Sequence, residues 1–193
     1  ILVVGLPEKI KKISSKNFKK KKDHHFNFLV FAGSQGSLDI LTIFTKMIDS
    51  LKKLPNFNKI KFTVQCPLQK QKQLKNLLAK NNCNFEIKSF FDNFETILSK
   101  TNIVLCRSGA GTINDLINFK IPAIICPLPS AKDNHQFKNA KILSDVNCAI
   151  LIDKKNFEID KIFTFVNKVI NDKNFNKSLI DHYSKLDRKN SNE

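Results

Sequence analysis

Apolar residues recur along the chain in short blocks separated by longer amphipathic stretches. Phe26 to Ala32 is a mostly apolar run with the length of a buried strand. The stretch Leu38 to Leu51 follows, with Leu38, Leu41, Ile48 and Leu51 at helical spacings. Pro55 and Asn56 break that pattern before a short strand at Lys61 to Gln65, and Pro67 opens a helix reaching about Lys80. A strand near Phe85 to Ile87 and a short helix from Asn93 to Ser99 come next. Ile103 to Cys106 reads as a strand, and Gly111 to Phe119 as a helix with Ile113, Leu116 and Ile117 on its inner face. Ala123 to Cys126 is a strand, Asn134 to Leu143 a helix, Ala149 to Ile152 the last strand, and Glu158 to Ile170 a longer helix. Strands alternating with helices of this length predict an α/β fold, a Rossmann-like doubly wound parallel sheet covered on both faces.

A chain of 193 residues suits one domain with a core plus a terminal appendage. The expected organisation is a basic linker over 1–25, the sheet domain over 26–172, and a tail over 173–193 that is partly helical, then frayed. The linker holds the run Lys19 to Lys22. No apolar run approaches the roughly 18 residues that span a bilayer, and no signal peptide is legible at the start. Because the chain begins with Ile1, it reads as a fragment of something longer. The cysteines (Cys66, Cys83, Cys106, Cys126, Cys148) lack metal-ligand spacing, and three sit in or beside apolar runs, where cysteine acts as a small hydrophobe. No metal or cofactor is expected. The formal net charge of +16 rests almost wholly on lysine, since only Arg107 and Arg188 are arginines. Lysine without arginine is poorly suited to reading bases. A solvated surface with attraction to an anionic membrane is expected, and no nucleic acid partner.

Glycine is scarce, so its placement is informative. Gly33 and Gly36 lie in one loop and Gly109 and Gly111 in another, each directly after a strand and before a helix. Such loops let the backbone approach a ligand, while the helix behind offers unpaired N–H groups and a positive dipole end for a phosphate. A tight turn between strand and helix is the plainer explanation of either loop alone. In the first, Ser34 and Gln35 add side-chain donors suited to a diphosphate. In the second, Thr112 can cap the helix and Asp115 projects from its first turn, as a dipole partner or as an acceptor for ribose hydroxyls. A third segment, Pro127 to Ala140, is dense in neutral hydrogen-bonding side chains of the kind a sugar requires. Capping by Asn134 explains that residue but not His135, Gln136 and Asn139.

The segments AGSQGS, CRSGAGTINDL and PLPSAKDNHQFKNA, in this order and spacing, resemble the MurG-type family of UDP-N-acetylglucosamine transferases of peptidoglycan synthesis. The resemblance spans roughly Ile1 to Ile170. It implies the C-terminal domain of a GT-B glycosyltransferase, which holds UDP-GlcNAc while an N-terminal domain holds the lipid acceptor and the catalytic base. By position, Ser34 resembles the residue meeting the diphosphate, with Gln35 beside it. Phe91 falls where a backbone amide and carbonyl recognise uracil. Ala110, Gly111, Thr112, Ile113, Asn114 and Asp115 match the segment around phosphate and ribose, and Gln136 matches a GlcNAc contact. Val4 to Lys9 resembles the interdomain segment, with Lys9 in place of an arginine that reaches the donor. Asp115 is one methylene shorter than the family's glutamate, Ala32 replaces the first loop glycine, and Leu6 replaces an asparagine.

The implied reaction is inverting transfer of GlcNAc from UDP-GlcNAc to undecaprenyl-pyrophosphoryl-MurNAc-pentapeptide (lipid I) at the cytoplasmic face of the bacterial inner membrane. Donor loops would stabilise charge on the UDP leaving group through helix dipoles and backbone donors. Two other readings stay open: the UDP-GlcNAc-binding half of another two-part GT-B transferase, and a non-catalytic remnant or basic binding module.

Overall fold

The computed structural model describes residues 25–32, 37–128, 131, 134–152 and 158–190. Lys9, Ser34 and Gln35, and the basic linker up to residue 24, lie outside the described residues. The elements run β1 (Phe26–Val30), α1 (Ser37–Leu51), a 3-10 turn (Phe57–Lys59), β2 (Ile60–Gln65), α2 (Leu68–Lys80), β3 (Asn84–Lys88) and α3 (Phe94–Lys100). They continue through β4 (Ile103–Cys106), α4 (Ala110–Phe119), β5 (Ala123–Ile125), α5 (His135–Ser144), β6 (Ala149–Leu151), α6 (Ile159–Asn171) and α7 (Lys173–Asn190).

All six strands are parallel, in the order β3-β2-β1-β4-β5-β6. The chain therefore winds outward from β1 to β3, then returns to the other side of β1 and winds outward again. The carboxyl ends of β1 and β4 lie side by side while the segments leaving them diverge, which opens a crevice at that edge. Pairing continues past the strand end, where the Phe31 N–H donates to Leu105 O at 3.1 Å.

The core is aromatic on one side of the sheet. Phe28, Phe44 and Phe62 are fully buried, with ring centroids 5.3–6.5 Å apart. Burying a side chain of this kind stabilises the fold by about 1.5–3 kcal/mol. On α1 the buried face comprises Ile40, Leu41, Ile43, Phe44, Met47, Ile48 and Leu51, whereas Leu38, expected to point inward, is exposed. The inward set on α4 is Ile113, Leu116 and Ile117, as the spacing predicts. Cys106, Cys126 and Cys148 are buried, and burial pushes the Cys148 thiol up to about 12, so it stays protonated at neutral pH.

One expectation needs correcting. Strands β1, β4 and β5 are buried along nearly their whole length, but β2 is half-buried at Lys61 and Gln65, and β3 is half-buried or exposed throughout. Their polar face carries Lys61, Thr63, Glu86 and Lys88, with both lysines 3.1 Å from Glu86. The sheet is thus open on one face at this edge, because a charged row cannot be buried without cost. Helix α7 carries the stretch from Lys173 through Asn190, and residues 191–193 lie outside the described residues. Its Leu179 and Tyr183 lie in the core, and the Tyr183 hydroxyl donates to Ile121 O in the turn before β5.

Candidate functional site

Helix α4 starts at Ala110 with Gly109 as its N-cap, one residue earlier than expected. Thr112 is accordingly inside the first turn and does not cap it; no side chain does. The first intrahelical bond runs from the Ile113 N–H to Gly109 O at 3.0 Å. The amides of Ala110, Gly111 and Thr112 have no intrahelical acceptor and sit at the carboxyl edge of the sheet, beside the crevice. Ile113 is placed differently from its neighbours: its side chain belongs to the core and its amide is committed. The glycines are not demanded by the fold. A Cβ at Gly109 would come no closer than 3.8 Å to Thr112 Oγ1, one at Gly111 would meet nothing within 4 Å, and neither has a positive φ. A tight-turn requirement therefore does not account for Gly109 and Gly111.

Asp115 is the sixth residue of α4, so it lies on the second turn rather than the first. There the dipole has little to offer a carboxylate. Burial and the nearby Glu95 charge together raise its pKa above the ordinary value of 3.8. Asn114 is half-buried on the same helix.

A network of buried polar bonds ties this loop to the next. Arg107, directly before it, is only 4% exposed. Its Nη1 donates to Cys126 O at 2.9 Å and Pro127 O at 3.1 Å, and its Nη2 meets Asp39 Oδ2 at 3.1 Å. Ser108 is fully buried; its hydroxyl donates to Gln136 O at 2.7 Å, and its carbonyl accepts from Asn139 Nδ2 at 3.1 Å. Gln136 Oε1 in turn accepts the Leu128 N–H at 3.0 Å. Gln136 is half-buried at the start of α5, its Nε2 hydrogens uncommitted to any described residue. Asn134 does not cap α5: its backbone is left-handed (φ 55°, ψ 26°), a conformation asparagine tolerates, and its side chain makes no capping bond.

At the far end of the edge, Phe90 is 68% exposed while Phe91 is buried, with Lys88 Nζ 5.8 Å from its ring centroid. The Phe91 side chain lines a cleft of about 370 Å³ between α3 and the polar sheet face.

Of the predicted positions, the start of α4 and Gln136 are tied together through Ser108, while Asp115 lies on the second turn of α4 with Glu95 of α3 nearby. Sequence reasoning missed Asp39 and Ser108 and gave Arg107 no role. One signal was present, because Arg107 is one of only two arginines in a chain whose other basic residues are lysines. Its planar fork reaches three acceptors, which an ammonium group does poorly.

The fold and crevice define a Rossmann-like half of a GT-B glycosyltransferase. The chain belongs to glycosyltransferase family 28, whose C-terminal domain profile matches residues 27–191. It is 38% identical over 142 residues to the UDP-N-acetylglucosamine--N-acetylmuramyl-(pentapeptide) pyrophosphoryl-undecaprenol N-acetylglucosamine transferase of Rickettsia bellii, covering 73% of this chain and 40% of that protein. The protein of the same description from Rickettsia felis is 34% identical over 170 residues, covering 82% of this chain and 46% of its own length. Among solved structures, Acinetobacter baumannii MurG superposes with a TM-score of 0.72 at 22% identity, over 86% of this chain and 47% of that one. The spinosyn rhamnosyltransferase SpnG complexed with thymidine diphosphate gives 0.60 at 16% identity, over 86% and 42%. These structures show the shared fold. The chain spans less than half the length of either Rickettsia relative.

Proposed function

We propose that this chain is the donor-binding half of an inverting transferase that moves GlcNAc from UDP-GlcNAc to the 4-hydroxyl of MurNAc on lipid I, giving lipid II. The observation that carries the reading is the cluster at the carboxyl ends of β4 and β5. What supports it is the set of open amides at the start of α4 and the Gln136 side chain, joined through Ser108, with Asp115 further along α4, in a chain related to transferases of that description. The amides suit the diphosphate, Asp115 the ribose hydroxyls, and Gln136 Nε2 the sugar. Ser34 and Gln35 would complete the phosphate contacts, Lys9 would reach the donor from the interdomain segment, and the Phe91 backbone would read uracil. In the reaction the bond from the anomeric carbon to UDP breaks and one to the acceptor oxygen forms. The acceptor proton goes to a base on the other domain. This half stabilises the departing UDP by donors fixed before the reaction. The lysine-rich surface would hold the protein against anionic lipid on the cytoplasmic face of the inner membrane.

Titration calorimetry of the chain at moderate salt tests the reading. UDP and UDP-GlcNAc should bind in preference to ADP, with no transfer to a lipid I analogue. Equal affinity for UDP and ADP would overturn the assignment, and turnover by this chain alone would overturn the division of labour.

A further inference from the structure

Arg107 and Asp39 belong to parts of the chain 68 residues apart, yet meet at 3.1 Å with the guanidinium only 4% exposed. Asp39 is in the first turn of α1, the helix that follows the first glycine loop. The other arm of the guanidinium holds the carbonyls of Cys126 and Pro127, where the chain leaves β5 for the segment proposed to meet the sugar. Arg107 itself starts the loop into α4. One side chain therefore fastens the beginnings of all three ligand-bearing segments to one another.

We propose that Arg107 and Asp39 are a positioning pair that sets the distance between the phosphate end of the donor site, at α1 and α4, and its sugar end at 126–128. The inference rests on the donor-binding reading above. Neither residue needs to touch the ligand. A carboxylate in the first turn of α1 would by itself oppose a bound diphosphate by like-charge repulsion, so a bystander Asp39 would weaken UDP binding. Paired to Arg107, it instead holds α1 against β4, and small misplacements of binding groups carry large losses.

The two roles give opposite signs for one substitution. Asp39→Asn keeps the shape and removes the charge. Positioning predicts that UDP binds about tenfold more weakly while uridine changes by less than about twofold, since only the phosphates use α1. Arg107→Lys keeps a charge and loses the fork. It should lower UDP-GlcNAc affinity further than UDP affinity, because 126–128 is released as well. Amide hydrogen exchange gives a readout that needs no ligand: Asp39→Asn should speed exchange at Ile40 to Phe44 and leave Phe62 to Val64 unchanged. Unchanged or tighter UDP binding by Asp39→Asn would overturn the pair. So would an equal loss for uridine and UDP, or unchanged exchange at the start of α1. Failure of the wild-type chain to bind UDP, with the exchange pattern as expected, would remove the donor assignment and leave the pair as a device that positions these loops.

Discussion

Asp115→Asn separates a ligand-binding carboxylate from a structural one, and the structure fixes the sign of both effects. The side chain is half-buried, makes no hydrogen bond to a described residue, and feels the Glu95 charge from α3. Its folded-state pKa is raised, so between the ordinary value of 3.8 and that higher value the folded chain holds more protons than the unfolded one. Stability must then fall as pH rises through this window, and the cost is fully present above it. Removing the charge relieves that cost. Asp115 is only half-buried and Glu95 is exposed, so solvent weakens both the burial cost and the charge repulsion and holds the gain at pH 7 to about 0.2–1 kcal/mol. Binding should move the other way. A hydrogen bond to a charged group contributes about 1.5–3 kcal/mol, so UDP affinity should drop roughly tenfold to a hundredfold. Urea denaturation at pH 7 and near pH 4 measures the first effect, which should shrink at the lower pH. Calorimetry with UDP at pH 7 measures the second. A variant less stable than wild type at pH 7 would show that Asp115 is a structural acceptor. Unchanged UDP affinity would show that the ribose is not held there.

Gln136→Ala removes both a possible sugar donor and the acceptor for the Leu128 N–H, so it should weaken UDP-GlcNAc by about 1–2 kcal/mol and UDP by less. Calorimetry with both ligands reads the difference, and equal losses would mean that Gln136 acts only by holding 126–128. Tyr183→Phe leaves Ile121 O without its hydroxyl donor and should cost about 1–2 kcal/mol in urea denaturation with UDP affinity unchanged; no cost would mean that α7 is a dispensable appendage.

Periodicity was sufficient for the element order because each strand and helix here is specified locally. The Ile113, Leu116 and Ile117 stripe on α4 had no competing reading. Boundaries moved where backbone bonding, not hydrophobicity, decides them: Thr112 and Asn134 have the chemistry of caps, but Gly109 and a left-handed turn start the two helices. Moving the cap from Thr112 to Gly109 matters, since it takes Asp115 from the third helical position to the sixth, on the second turn, and removes the dipole explanation for it. Leu38 matched the helical spacing of α1 yet faces solvent, because a stripe drawn from four residues does not fix its own centre. The open face of β2 and β3 was legible in the alternation of Lys61, Thr63, Glu86 and Lys88, which the parallel-sheet expectation overrode. Asp39 and Ser108 were illegible for a different reason. Their partners are 68 and 28 residues away, respectively, and no local pattern encodes such a meeting. The positions Lys9, Ser34 and Gln35 remain expectations of the sequence alone.

The distribution of burial across the sheet bears on how tightly a ligand could be held. Strands β1, β4 and β5, which feed the three segments proposed to meet the donor, are the ones shielded on both faces, while the polar face lies at β2 and β3, away from the crevice. Local opening is rarest where buried apolar contacts are densest. The loops therefore leave the most stable part of the molecule, and side-chain bonds from Arg107, Ser108 and Gln136 carry that order one or two residues further. Ordering a loop on binding subtracts from affinity, and a loop already fixed avoids the loss. Glycine-rich loops would ordinarily be the most expensive to order, because bare backbone has the most freedom to lose. Anchoring the loop that holds Gly109 on doubly covered β4 would let this chain expose backbone amides at the crevice without forfeiting the rigidity that a proposed diphosphate contact requires.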